Sequence, residues 1–330
     1  MVNVGLVGVG YWGPNLLRNL MANARARVVA VADVDQARRD FVQSVAPDVT
    51  VTPDAQGVMH HEGVEAVVIA TPAASHYELV TSALNNDKHV LVEKPMARSL
   101  AEVDRIAALA TEVGKVAMAG HTFVYNDAVR YMRDLITSGE VGEIRYIYSQ
   151  RLNLGRIRPD VDALWNFAPH DVSIIQYLLD GKAPRSVRRM GMDYVQAGID
   201  DVVFLHVEYP DGVMAHVHVS WLDPNKVRRL TLVGSQKMVV YDDIAEHKIA
   251  VYDKGVDRMA TLGSGMDYDE SAVAQFRYRS GDVVLPRIDF REPLANEIDH
   301  WIDCIQHGQT CLTGPEHARS VIQILEAATG

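Results

Sequence analysis

The chain has 330 residues, of which 48% are apolar and 23% charged, about twice the length of a typical single domain. Its 32 basic and 43 acidic residues leave a net charge of −11, which argues against non-specific binding of nucleic acid or of an anionic membrane surface. Two cysteines, Cys304 and Cys311, are too few for a disulfide scaffold or a zinc ligand set. No apolar run approaches the ~20 residues of a membrane span. The start, Met1-Val-Asn-Val-Gly-Leu-Val-Gly8, lacks the basic segment of a signal peptide, so a cytoplasmic location is expected.

Through residue 120, short apolar runs alternate with amphipathic stretches. Val2–Val9, Val28–Ala32, Ala66–Ala70, His89–Val92 and Val116–Ala119 suit strands buried on both faces of a parallel sheet. Asn15–Asn23, Ser75–Asn85 and Ser99–Val113 are predicted helices. In the last, Ser99 and Glu102 form a capping box and Gly114 ends the helix. This rhythm predicts an α/β domain, a Rossmann-like doubly wound sheet over residues 1–120. Beyond it, Asp127–Ile136 reads as a helix. Strands are expected at Ile144–Leu154, Ser186–Val195, Val202–Tyr209, Val213–Trp221, Arg228–Val233 and Met238–Tyr241, with a tight turn at Pro210-Asp211-Gly212. Residues 121–330 are therefore expected to form an α+β domain with a large, mostly antiparallel sheet. Residues 254–285 read as a long loop or edge elements, and Pro293–Gln306 and Pro315–Ala327 as closing helices.

The turn Gly8-Val9-Gly10-Tyr11-Trp12-Gly13 follows the first strand and opens a helix. Gly8 permits the turn, Gly10 lets backbone approach a pyrophosphate, and Gly13 allows close helix–strand packing. The helix N-terminus attracts the phosphates. Asp33, at the end of the second strand, suits the adenosine ribose hydroxyls and repels a 2′-phosphate, which favours NAD over NADP although Arg38 and Arg39 follow. Ligands bind such sheets outside the carboxyl ends of the strands, where Thr71-Pro72 and Glu93-Lys94-Pro95 lie. A half-buried lysine there, beside a cationic ring, could exchange a proton with a substrate hydroxyl.

The glycine turn, Thr71-Pro72 with His76, and above all Glu93-Lys94-Pro95 resemble the Gfo/Idh/MocA oxidoreductases over essentially the whole chain. The resemblance implies a Rossmann domain followed by an α+β domain whose open sheet joins subunits into a homodimer or homotetramer. By position it makes Lys94 the catalytic lysine and sets Tyr11, Trp12, Thr71, Pro72, His76 and Glu93 near the cofactor. A cis peptide at Lys94–Pro95 is plausible. The family's usual acid, four residues before a catalytic histidine, is replaced: Asn166 precedes His170, so proton transfer falls to Lys94 and His170. Pro169 fits a first helical turn, which would place His170 where the helix dipole favours a neutral imidazole; Ile174, Ile175, Leu178 and Leu179 would be the buried stripe, and Asp171 an N-terminal helix acid.

Within the family, the segments 120–126 and 165–171 look most like the branch that oxidises the 3-hydroxyl of UDP-N-acetylglucosamine or its uronic acid. A basic cluster, Arg151, Arg156 and Arg158, would suit a substrate phosphate or carboxylate, with Tyr125, Asn126, Asn153 and Asn166 as sugar ligands and His121 lining the same crevice. If Pro210–Gly212 is a three-residue loop, His206 lies opposite His216 with His218 diagonal; no acid or cysteine accompanies them, and no metal is expected. A dehydrogenase of free sugars or inositol, and a non-catalytic NAD-binding regulator, remain alternatives.

Overall fold

The computed structural model describes residues 1–259 and 275–329. The chain divides into two compact units, one of Met1–Asp127, Val172–Ala183 and the chain from Phe290, the other of Ala128–Asp171 and Pro184–Asp289. A boundary at residue 120 assigns the two closing helices to the second domain; in the structure they count with the first. The reason is their apolar stripes, which complete that unit's core.

The first unit alternates β1 (Val2–Val7), α1 (Gly13–Ala22), β2 (Ala26–Ala32), α2 (Gln36–Val45), β3 (Thr50–Thr52), α3 (Ala55–Met59), β4 (Ala66–Ile69), α4 (His76–Asn85), β5 (His89–Glu93), α5 (Leu100–Glu112) and β6 (Ala117–Gly120). The strands pair in parallel in the order β3-β2-β1-β4-β5-β6, the doubly wound arrangement the alternation predicts. Val4, Leu6, Val68 and Val90 are fully buried, each contributing about 1.5–3 kcal/mol. α8 (Pro293–His307) adds Leu294, Ile298 and Trp301 to the same core, and α9 (Pro315–Ala327) packs beside α5. At α5, Ser99 Oγ accepts the Glu102 N–H at 3.3 Å. The Glu102 carboxylate takes the N–H of Arg98 at 2.9 Å, so the capping box is displaced by one residue.

The second unit is built on eight strands: β7 (Ile144–Leu154), β8 (Ser186–Met192), β9 (Val202–Glu208), β10 (Met214–Ser220), β11 (Leu222–Gly234), β12 (Met238–Asp242), β13 (Ile249–Met259) and β14 (Gln275–Val284). Their order is β14-β13-β12-β11-β7-β10-β9-β8, antiparallel except between β7 and β10. The 210–212 turn closes as expected: Tyr209 N–H bonds to Val213 O at 2.9 Å, Gly212 has φ +82°, and His206 stands opposite His216. The stretch 254–285 holds most of two paired outer strands, β13 and β14, with residues 260–274 lying outside the described ones. α6 (Asp127–Thr137) precedes the sheet. α7 (Ala163–Leu178) contributes its residues through Asp171 to this unit and those from Val172 to the first.

Candidate active site

At the first βα turn, two glycines are demanded by packing and one is not. A Cβ on Gly8, whose φ is +94°, would stand 2.7 Å from Ala70 O, and one on Gly13 would stand 2.5 Å from Gly8 O. On Gly10 a Cβ would meet only the tip of Arg38, at an ordinary 3.5 Å. The bare backbone at Gly10 thus serves no contact within the protein, and it is what a pyrophosphate needs. α2, α3 and α5 are capped by the side chains of Asp35, Asp54 and Ser99; α1 has no side-chain cap and no acid in its first turn, which leaves its amides for an anion. Tyr11 is 94% exposed and Trp12 38%, both on the turn itself. Buried Asp33 ties the turn to β2: Oδ2 accepts the Val9 N–H at 2.6 Å and Oδ1 the Asp35 N–H at 2.9 Å. Arg38 returns to within 3.6 Å of Asp33 Oδ2. The residues fit a dinucleotide.

The next two strand ends are joined by His76. Fully buried, it places Nδ1 2.7 Å from Pro95 O and Nε2 2.9 Å from Thr71 O, holding together the turns after β4 and β5. A neutral imidazole can donate to only one of those carbonyls. Burial nonetheless lowers its affinity for a second proton, against the pull of the two carbonyls. Thr71 Oγ1 accepts from Ser75 Oγ at 2.8 Å, and Pro72 is exposed beside it. The Lys94–Pro95 peptide is cis.

Glu93 and Gly120 are register partners on β5 and β6, so Lys94 and His121 leave the sheet side by side. Around this half-buried lysine lies a nest of titratable groups. The Glu93 carboxyl lies against Gly120, and burial pushes it up to about 7 against the attraction of the Lys94 ammonium. Burial, then His317, then Lys94 hold His121 well below the ordinary imidazole value, and its Nδ1 has no hydrogen-bond partner among the described residues. His317 meets the His121 ring edge-on at 5.3 Å between centroids and shares a 2.8 Å hydrogen bond with Ser173 Oγ; burial brings it down to about 4. Glu297, on α8, accepts from Thr122 Oγ1 at 2.9 Å through Oε2, while Oε1 has no partner among the described residues. Burial and then the neighbouring Glu93 charge keep this carboxyl well above its usual range. Glu297 and His317 escaped the sequence reading. The available signal was an acid inside the apolar stripe Leu294, Ile298 and Trp301 of a closing helix.

Several expected contacts are otherwise engaged. Tyr125 is fully buried in the first unit, its hydroxyl 2.8 Å from Thr313 Oγ1 and 3.7 Å from Met118 Sδ, and so is a core residue rather than a sugar ligand. Asn126 is 1% exposed beside it. In the second unit Arg151 is buried, Nε donating to Asp171 Oδ2 at 2.6 Å, with Ser149 Oγ donating to Oδ1 at 2.6 Å. This guanidinium neutralises a helix acid and is not aimed at a substrate anion. Arg158 pairs with Asp160 at the surface, Arg156 is exposed and Asn153 half-buried.

His170 and Asn166 both lie on α7 and are half-buried, but α7 starts six residues earlier than Pro169 suggests. Asp162 caps it, accepting the Trp165 N–H at 2.9 Å, and Pro169 sits inside the helix. His170 is therefore mid-helix, beyond the reach of the N-terminal dipole, and Asp171 is not an N-terminal acid. The stripe Ile174, Ile175, Leu178 and Leu179 is buried as expected. On the sheet, His206 and His216 place their Nδ1 atoms 3.2 Å apart, but His218 stacks on Phe204 at 4.2 Å. Among the described residues only His300, Cys304 and Cys311 bring three ligand atoms together.

A parallel sheet of this order, a glycine turn shaped for pyrophosphate and a lysine at a strand's carboxyl end define a dinucleotide-dependent oxidoreductase fold. The family model "Oxidoreductase family, NAD-binding Rossmann fold" matches residues 2–121, and that family's C-terminal domain matches residues 129–240. The chain belongs to the Gfo/Idh/MocA oxidoreductase family. It is 30% identical over 226 residues to inositol 2-dehydrogenase 1 of Saccharopolyspora erythraea, covering 66% of this chain and 67% of that one. It is 29% identical over 229 residues to 2,7-anhydro-N-acetylneuraminate hydratase of Escherichia coli, covering 65% and 60%; the match thus spans about three fifths of that relative's length. In fold it resembles UDP-N-acetylglucosamine 3-dehydrogenase of Acidithiobacillus ferrooxidans, with a TM-score of 0.78, 22% identity, and 99% and 97% of the two chains covered.

Proposed function

We propose that this oxidoreductase uses NAD to oxidise a carbinol of a sugar, the sugar being nucleotide-linked and the carbon C3. The observation that carries the reading is Lys94 at the carboxyl end of β5, among buried groups whose proton affinities are shifted toward or away from neutrality. NAD, when bound, supplies the hydride acceptor. Gly8, Gly10, Gly13 and the α1 amides hold the pyrophosphate, Asp33 the ribose, and the Thr71-Pro72 and Glu93-Lys94 turns border the nicotinamide. Lys94, in its neutral amine form, takes the hydroxyl proton, and Glu93, near 7, keeps the local charge adjustable at neutral pH. His170 is the second proton-handling group, and Asn166 hydrogen-bonds a sugar hydroxyl without accepting a proton. Asn126, Asn153 and Arg156 remain candidate substrate contacts. Arg151 and Tyr125 leave that set because the interior uses their polar atoms. The enzyme works in the cytoplasm as a homodimer or homotetramer joined through the eight-stranded sheet, where Tyr146, Met190 and His206 are exposed. Light scattering of the eluted protein checks the assembly.

The second reading is an inositol or free-sugar dehydrogenase, favoured by the 30% identity to inositol 2-dehydrogenase 1. NADH formation on UDP-N-acetylglucosamine, its uronic acid, inositol and free hexoses separates the two. Fastest turnover on a UDP-sugar is expected, and fastest turnover on inositol favours the second reading. Tight NAD binding without reduction on any of them would point to a regulator instead.

A further inference from the structure

The side of α8 that buries Glu297 also carries His300 and Cys304, and the chain beyond Gly308 brings Cys311 back against them. The two sulfurs and His300 Nε2 all lie within 4.8 Å of one another, with Cys304 Sγ 3.4 Å from Nε2. The backbone N–H of Leu312 donates to the same Nε2 at 3.0 Å. That contact makes Nε2 an acceptor, places the ring proton on Nδ1, and occupies the lone pair a metal would need. No fourth His, Cys, Asp or Glu joins the group among the described residues, so a closed four-ligand tetrahedral set is not formed.

What remains is two thiols in contact, one buried and one half-buried. The hydrogen bond from Cys311 holds the Cys304 thiol down at about 5, whereas that same bond and burial push Cys311 up. Cys304 thus gives up its proton more readily than Cys311, the asymmetry that thiol oxidation uses.

We propose that Cys304 and Cys311 form a reversible dithiol–disulfide site whose oxidant is a hydroperoxide. The Cys304 thiolate attacks one peroxide oxygen. An S–O bond forms, the O–O bond breaks, sulfur loses two electrons, and hydroxide, or the alkoxide of an organic hydroperoxide, leaves. The Cys311 sulfur then attacks the Cys304 sulfenic acid, the S–S bond forms, and the sulfenic oxygen departs as water with the Cys311 proton. The consequence reaches the sheet through the next residues. Thr313 O accepts the Ala119 N–H at 2.8 Å, and Thr313 Oγ1 donates to Ala119 O at 2.7 Å. The cross-link therefore fastens the segment that braces the end of β6, one residue before Gly120 and His121.

The chain has only two cysteines, so any disulfide within one molecule is this one. Full-length reduced protein is treated with a small excess of hydrogen peroxide, then read by thiol titration under denaturing conditions and by intact mass. The expected result is loss of both thiols with a mass decrease of about 2 Da, reversed by dithiothreitol, and a raised Tm for the oxidised form. Cys311→Ser is expected to stop at a sulfenic acid on Cys304 that dimedone traps. Survival of both thiols, irreversible addition of two or three oxygens in place of the 2 Da loss, or one equivalent of zinc shielding both sulfurs would each overturn the proposal.

Discussion

The carboxyl end of the parallel sheet and the middle of α7 bury charge in opposite ways. Around Lys94, acids and imidazoles are taken into the protein without full compensation: Glu297 Oε1 and His121 Nδ1 have no partners among the described residues, and Glu93 and His317 move to about 7 and about 4. In the second unit Arg151 and Asp171 meet at 2.6 Å, and Ser149 satisfies the remaining carboxylate oxygen. Both regions were read from the sequence as chemistry. The first shifts the proton affinities of its groups; the second has the closed geometry of a structural ion pair. A buried polar residue is informative about function when its neighbours leave its needs unmet.

Removing half of a closed pair should therefore damage folding. Arg151→Ala is expected to lose about 3–5 kcal/mol in urea unfolding, because it strands the Asp171 carboxylate, while NAD affinity of the folded fraction stays unchanged. Restored stability in the paired variant Arg151→Met with Asp171→Leu would sharpen the distinction. An Arg151→Ala protein of wild-type stability with a raised substrate KM would erase it. The glycine turn allows the same contrast within one motif. Gly8→Ala puts a Cβ 2.7 Å from a backbone oxygen at φ +94° and is expected to cost about 2 kcal/mol or more. Gly10→Ala is expected to stay within about 0.5 kcal/mol of wild type yet weaken NAD binding about tenfold or more, measured by calorimetry.

The smallest effect is the pH dependence of stability. Glu93 rises from 4.5 to about 7 on folding, so the native state holds extra protons and stability falls as pH rises across that window. His317 drops from 6.5 to about 4, so its contribution is lost as pH falls through that range. Glu93→Gln should flatten the first decline and leave the second in place, checked by Tm against pH. An unchanged slope between pH 4.5 and 7 would mean Glu93 does not titrate there.

The parallel sheet was legible because each strand is a continuous apolar run and each connection ends on a glycine, a cap or a proline. β3 was not delimited because three residues, Thr50–Thr52, give no periodicity, and its edge position asks for none. The start of α7 was misplaced because proline signals a first turn so strongly that Asp162, the actual cap, went unread. At the site, Gly8, Asp33 and Lys94 were visible as local motifs. Glu297 and His317 come from helices some two hundred residues away, and only tertiary packing brings them to Lys94. Arg151 and Tyr125 were read as ligands because a sequence shows a side chain's chemistry but not its partner.

The most direct test is to measure NAD binding and NADH formation on the same preparations of wild type and Lys94→Ala, with the best substrate of the sugar panel. The account predicts equal NAD affinity within about twofold and a fall in turnover of about 10²–10⁴-fold for the variant. Wild-type turnover in Lys94→Ala would contradict it.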